Sequence, residues 1–327
     1  LRRQTIPHAF LFTGIAGVGK SRAAVEFAKA CNCRKRRPSE GGTPAGGTPE
    51  NGAIPCGSCG ACRKIEAGVH PDILRLKPTR TFIRIDSIRS LQHTLSMRPY
   101  EARVRVVIVQ EAQHMRPEAA NAFLKLLEEP PPDTVLILIA ERVSEVMPTV
   151  VSRCRRLHFN PIPQGQLAGL LVDEADVTTE QARTVAAFSG GSLSRSLELL
   201  AGGWFRLRDW LVDEFERLPQ MPVGRIMALG ERLSADRRRF EEALDVLVSW
   251  LRDLMIVGDY PEGVVHRDQQ SRLRRQAALW PLADLSAGIR AVRRAQTDLR
   301  ANVGPRLIAE TLLLQLVPRQ DGRKTLG

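Results

Sequence analysis

Between the apolar run Ala9-Phe10-Leu11-Phe12 and the helix-forming run Ala23-Ala24-Val25-Glu26-Phe27-Ala28 stands Gly14-Ile15-Ala16-Gly17-Val18-Gly19-Lys20-Ser21, a GxxxxGK[ST] pattern. Few folds accept that order. The glycines let the loop turn its amide groups inward, and the helix that follows brings unpaired N-terminal N–H groups and a positive dipole end to the same place. Such a nest suits phosphate. Gly14, Gly17 and Gly19 shape the loop, Lys20 reaches toward β- and γ-phosphates, and Ser21 can ligate Mg²⁺. The expectation is a site for ATP or ADP, with Mg²⁺.

A second buried strand is expected at Val104-Arg105-Val106-Val107-Ile108-Val109. In a hydrolysing site of this kind it ends in an Asp that holds the metal shell and an acid that positions the attacking water. Here it ends in Gln110-Glu111. Gln110 is neutral and gives the metal no anionic ligand, so nucleotide binding and hydrolysis are expected to be separated, with turnover weak or absent. Glu111 remains able to polarise a water.

Six cysteines lie at 31, 33, 56, 59, 62 and 154, and Cys56-Gly-Ser-Cys59-Gly-Ala-Cys62 is a double CxxC. Two such steps set three thiolates around one tetrahedral centre, and a fourth closes a structural zinc site. Cys33 or Cys31 can supply it. The stretch Arg34 to Ile54, rich in Gly, Pro and Thr, reads as a flexible excursion between the first ligand and the other three. Four thiolates leave no open position for water, so the Zn²⁺ is expected to be structural. Cys154 stands apart and reads as a small core residue.

No apolar run approaches the roughly 20 residues that span a bilayer. Leu1-Arg2-Arg3-Gln4-Thr5 leads directly into Ile6-Pro7-His8 without the build of a secretion signal, and the expected location is cytoplasmic. Lys and Arg number 48 against 36 Asp and Glu, a net charge of +12 that suits an anionic partner. Aromatic residues are only 5% of the chain, too few for a base-stacking surface, and no recognition-helix motif stands out. A protein that binds DNA directly through its cysteines and basic helices is therefore a poor fit.

Residues 1–160 alternate short apolar strands with helical stretches, the pattern of a parallel sheet flanked by helices, with the zinc segment inserted at about 31–65. His70 to Leu76 reads as a strand, Ile85, Ile88, Leu91 and Leu95 as one helix face, Pro117 to Leu127 as a helix and Val135 to Ile139 as a strand. Beyond Pro161-Ile162-Pro163 the strand signals stop. Residues 161–203 read as a small helical lid, with Gly190-Gly191-Ser192 as an internal break, and residues 204–327 as a helical packing or oligomerisation module. His266 and Asp268 fall on a polar stretch and read as surface residues.

The run Ala119 to Pro131, containing Leu126-Leu127-Glu128-Glu129-Pro130-Pro131, and Pro148-Thr149-Val150-Val151-Ser152-Arg153-Cys154 together resemble the ATPase core of bacterial clamp-loader subunits of DNA polymerase III. His8 to Phe12 before the glycine loop and the four-cysteine module after its helix are also similar. Motor subunits, gamma or tau, carry an Asp-Glu pair where this chain has Gln110-Glu111 and a polar sensor where it has Glu141-Arg142. The chain is more similar to the delta-prime branch, also through His70-Pro71-Asp72-Ile73 and Ile85-Asp86-Ser87-Ile88-Arg89. At 327 residues it is shorter than expected of a tau with its long C-terminal extension.

That resemblance implies an α/β P-loop (AAA+) domain with a parallel sheet and zinc module, then a helical lid and an all-α collar. It implies a hetero-pentameric ring with gamma/tau and delta subunits, acting on a sliding clamp and primer-template DNA. It also implies that Arg153 reaches the γ-phosphate on a neighbouring motor subunit as an arginine finger, and that Arg195 touches nucleotide bound to this same chain. Two other readings are an active gamma/tau-like ATPase and a free-standing P-loop nucleotide kinase with a zinc lid. The kinase has no use for the Ser-Arg-Cys and Leu-Glu-Glu-Pro-Pro runs.

Overall fold

A computed structural model describes residues 6–35, 54–79, 81–175 and 177–317. Most of the excursion read between Arg34 and Ile54 lies outside the described residues. The chain divides into two compact units, Leu1–Ile162 and Pro163–Gly327.

In the first unit the order is β1 (Ala9–Thr13), α1 (Lys20–Asn32), α2 (Gly60–Glu66), β2 (Ile73–Leu76), α3 (Ile85–Ser96), β3 (Arg105–Val109), α4 (Pro117–Glu128), β4 (Thr134–Ala140), α5 (Pro148–Val151) and β5 (Arg155–His158). The five strands form one parallel sheet in the order β2-β3-β4-β1-β5. The three inner strands are buried at every residue, which is why they read as unbroken apolar runs rather than as alternations.

Their pleat divides them between two cores. Leu11, Val107, Val109, Leu136 and Leu138 join α3 and α4 through Ile88, Leu91, Phe123 and Leu127 on one face. Phe10, Phe12, Val106, Ile108, Ile137 and Ile139 join Ala24 and Ala28 of α1 and Ile65 of α2 on the other. The α/β P-loop architecture expected from the sequence is the one observed.

β5 was not anticipated. All four of its residues are exposed, because it is an edge strand paired only with β1, and Arg155-Arg156-Leu157-His158 carries no apolar run to announce it. At the opposite edge, buried polar groups join the elements. Asn32 at the end of α1 accepts from the amides of Arg103 and Val104 and donates to the carbonyl oxygens of Ala28 and Val104. Asp72 accepts from the amides of Tyr100, Glu101 and Ala102, and Arg105 donates to the carbonyls of Leu95 and Met97 at the end of α3.

The second unit is helical: α6 (Gln164–Glu174), α7 (Thr179–Phe188), α8 (Leu193–Ala201), α9 (Trp204–Arg217), α10 (Val223–Ser234), α11 (Arg237–Ile256), α12 (Gln270–Ala277), α13 (Leu282–Arg300) and α14 (Pro305–Leu316). Gly190 and Gly191, both at positive φ, break the chain before Ser192 caps α8 by accepting from the Arg195 amide. The stretches read as lid and collar belong to this one compact unit, and the rings of Phe188 and Trp204 meet across their junction with centroids 4.6 Å apart.

His266 is not a surface residue. It is fully buried, with Trp204 stacked parallel to its ring at 5.9 Å and Trp250 at 5.2 Å. The Asp253 carboxylate of α11 accepts from the amides of Val265 and His266, both at 2.8 Å, and this draws a polar stretch into the core. Asp268 is partly buried and pairs with the buried Arg208 at 2.7 Å.

Candidate functional site

The glycine loop links the end of β1 to the start of α1, at the C-terminal edge of the sheet, where open α/β sheets take ligands. Gly14, Gly17 and Gly19 have φ of 141, 74 and 100°, values that L side chains rarely adopt. Gly14 is also held by space: a Cβ there would stand 2.3 Å from the Phe159 carbonyl oxygen. No side chain caps α1, and its first turn holds no acid, so its leading amides face the loop unopposed.

Lys20 opens α1 and is buried. Its ammonium donates to the carbonyl oxygens of Gly14 and Ile15, the latter at 2.7 Å. Burial holds its pKa below the usual lysine value, and the Glu141 carboxylate partly offsets this. Ser21 is exposed in the first turn. The loop residues read from the sequence thus stand together.

Gln110 follows β3, its backbone amide donating to the Leu76 carbonyl at 2.8 Å. Glu111 has a left-handed backbone, with φ 52°, and its carboxylate lies 3.2 Å from Nδ1 of His114. Glu141 follows β4, and its carbonyl accepts from the Gly14 amide at 3.1 Å. Glu141 is the charged neighbour of the loop that the motif by itself does not reveal.

At the other end of α1 the Sγ atoms of Cys33, Cys56, Cys59 and Cys62 all lie within 4.8 Å of one another. A tetrahedral centre with Zn–S of about 2.3 Å sets its sulfurs about 3.8 Å apart, so the cluster is of the size a metal needs. The local chemistry also fits. The Cys56 amide donates to Cys33 Sγ and the Cys59 amide to Cys56 Sγ, each at 3.3 Å, and Gly57 makes the intervening turn at φ 70°. Hydrogen bonds from the Ser58 hydroxyl and nearby amides pull the Cys56 thiol down to about 5, whereas burial pushes Cys62 up to about 12.

The alternatives for the fourth thiol resolve to Cys33, which caps the end of α1. Cys31 is buried outside the cluster, its carbonyl accepting from Arg103. Cys154 also lies outside it and packs against the sheet core, where burial raises its thiol to about 11. α1 and α2 are pinned by Lys29 between Glu26 and Glu66 and by Arg22 bridging the same two acids. The sequence reading missed this lattice, of which only the helical spacings of Arg22, Glu26 and Lys29 were legible and the links to Glu66 were not.

Arg153 follows α5. Its guanidinium donates to the Thr149 carbonyl at 3.0 Å and pairs with Glu128 at 2.8 Å, both side chains remaining substantially exposed. The two diagnostic motifs therefore meet in one ion pair. Arg195 lies in α8 of the second unit, where it pairs with Asp245 of α11 and stands 5.6 Å over the Phe188 ring.

The loop, the sheet and the thiolate knuckle define a P-loop α/β unit that carries a candidate metal site. A family model described as DNA polymerase III, delta subunit, matches residues 1–163. The chain is 28% identical over 321 residues to the delta-prime subunit of DNA polymerase III from Bacillus subtilis, covering 97% of this chain and 92% of that one. It is 34% identical over 224 residues to the delta-prime subunit from Pseudomonas aeruginosa, covering 66% and 63% of the two chains. A solved gamma subunit-related protein of DNA polymerase III from Thermotoga maritima is 21% identical, with 77% of this chain and 87% of that chain covered and a TM-score of 0.43. The chain belongs to the delta-prime family of DNA polymerase III clamp-loader subunits.

Proposed function

We propose that this chain holds a nucleotide at its own loop with little or no turnover and lends Arg153 to the ATP site of a neighbouring motor subunit. The ring is a hetero-pentamer with gamma/tau and delta subunits that loads a sliding clamp onto primer-template DNA in the cytoplasm. In it, residues 161–203 act as the lid and 204–327 as the collar. Among the described residues no helix is long and apolar enough to cross a membrane.

The observation that carries this reading is the state of Arg153. An exposed ion pair contributes only about 0–1 kcal/mol, so Glu128 orients the guanidinium without trapping it. A charge presented in this way can stabilise the negative charge that builds on a transferred phosphoryl group, an effect of about 10³ to 10⁵ in rate. At this chain's own loop, Gln110 offers no anion to a metal, and Glu111 is engaged with His114. Those two features support retention without hydrolysis.

Lys20, Ser21 and the loop amides are the groups that would hold the phosphates, with Mg²⁺ at Ser21. Arg195 is the further residue proposed to contact that nucleotide. Cys33, Cys56, Cys59 and Cys62 would hold Zn²⁺, which supplies cross-linking of α1 to α2 and no chemistry.

The test is DNA-stimulated ATPase of a ring reconstituted with motor and delta subunits. Arg153→Ala should cut turnover at the adjoining motor site by about 10³ or more with assembly intact. Unchanged turnover would leave Arg153 with its Glu128 contact alone. The intact loop favours a second reading, an active gamma/tau-like ATPase. Hydrolysis by the isolated chain, abolished by Lys20→Ala, would establish that one instead.

A further inference from the structure

Lys20 and Glu141 flank one residue. The ammonium bonds to the Gly14 carbonyl, and the Glu141 carbonyl accepts from the Gly14 amide, because Thr13 and Ala140 are in register across β1 and β4 and the next pair closes the mouth of the loop. The Glu141 side chain is exposed there and attracts the Lys20 charge. An anion in this position opposes part of what the lysine offers a phosphate. It acts chiefly on the terminal group of a triphosphate, which adds negative charge where lysine reaches furthest.

A metal ordinarily relieves that crowding of charge, held in place by the acid at the end of the neighbouring strand. Gln110 stands in that place and is uncharged. The β-phosphate, by contrast, is served by backbone amides at Gly17 to Lys20 and by the uncapped start of α1, none of which depends on residue 110 or 141.

We propose that this loop selects a nucleoside diphosphate over the corresponding triphosphate, with Glu141 as the residue that sets the preference. The inference rests on the reading that the loop holds a nucleotide, and it names which one. The retained ligand is then already the product of hydrolysis, which gives the missing acid at position 110 a simple meaning: the site has no γ-phosphate to cleave.

The experiment is displacement of a fluorescent ADP analogue from the full-length chain, stripped of carried nucleotide, by ADP and by ATP in Mg²⁺ buffer. Wild type should prefer ADP by about tenfold or more, the scale of one close like-charge repulsion at a solvated site. Glu141→Gln, at an exposed position where folding is not at stake, should bring the ratio to within about threefold by tightening ATP. Lys20→Ala should weaken both. Equal affinity in wild type, or a ratio unmoved by Glu141→Gln, overturns the selectivity and leaves nucleotide retention standing. Absence of binding by either nucleotide overturns both.

Discussion

Asp253 and His266 titrate in opposite senses inside the second unit, and their pairing should flatten its stability over the acid range. Both are fully buried, and Asp253 Oδ1 and His266 Nδ1 have no hydrogen-bond partner. Burial raises Asp253 from 3.8 to about 6 and lowers His266 from 6.5 to about 3. For Asp253 the folded state binds the proton more readily, so its contribution is present below pH 3.8 and is lost as pH rises through 6, a change of about 3 kcal/mol. For His266 the unfolded state binds the proton more readily, so its contribution is present above pH 6.5 and is lost as pH falls toward 3, about 5 kcal/mol.

Between pH 6 and 4 each state gains a similar fraction of a proton, about 0.6, and the pair together changes stability little. Asp253→Asn keeps an oxygen for the Val265 and His266 amides but removes the compensating titration. Relative to wild type it should lose about 2 kcal/mol as pH falls from 6 to 4, and His266→Gln should gain about 2–3 kcal/mol over the same range. Urea unfolding followed by tryptophan fluorescence reads this directly, since Trp204, Trp210, Trp250 and Trp280 all lie in the second unit. Taking differences from wild type removes the titration common to every carboxylate. Parallel pH profiles for wild type and Asp253→Asn would refute the account.

Three further outcomes are expected. Metal analysis of the purified chain should find about one Zn²⁺ per chain, with Cys33→Ser losing it and Cys31→Ser retaining it, because only the former belongs to the cluster. Phe123→Ala, at a fully buried position between α4 and the sheet, should cost about 3–5 kcal/mol in the denaturant unfolding of the first unit followed by circular dichroism. Glu128→Gln should change stability by less than about 1 kcal/mol, since its ion pair with Arg153 is exposed; a larger loss would show that the pair anchors the fold.

The parts of the first unit that were legible in the sequence are those where one physical constraint acts alone. Strands buried on both faces must be apolar at every position, so β1, β3 and β4 read correctly within a residue or two. A phosphate nest needs glycines at fixed offsets, and their positive φ values follow. β5 was hidden because an exposed edge strand carries no apolar requirement. His266 was misread because its burial depends on a carboxylate 13 residues earlier, a dependence that local polarity does not register. Glu141 was visible only as a departure from a motor pattern; its place beside Lys20 comes from the register of two strands distant in sequence.

The same helix carries both candidate ligand sites, and this accounts for where the thiolate module is inserted. α1 has 13 residues, about 20 Å at 1.5 Å per residue, with Lys20 in its first turn and Cys33 as its C-terminal cap. A loop that binds phosphate through helix-terminal amides needs that helix held against the sheet, yet the only α1 side chains buried within that core are the small Ala24 and Ala28, with Val25 and Phe27 packing against it half-buried. Small residues bring the helix close but bury little area. The remaining restraint comes from its far end, where Asn32 bonds to the start of β3, Lys29 and Arg22 bind Glu66 of α2, and Cys33 joins the cluster that begins α2. An insertion at this point adds cross-links to the one element whose position the loop depends on, and it does so at the end away from the phosphate groups, where a bound metal would not compete with them for charge.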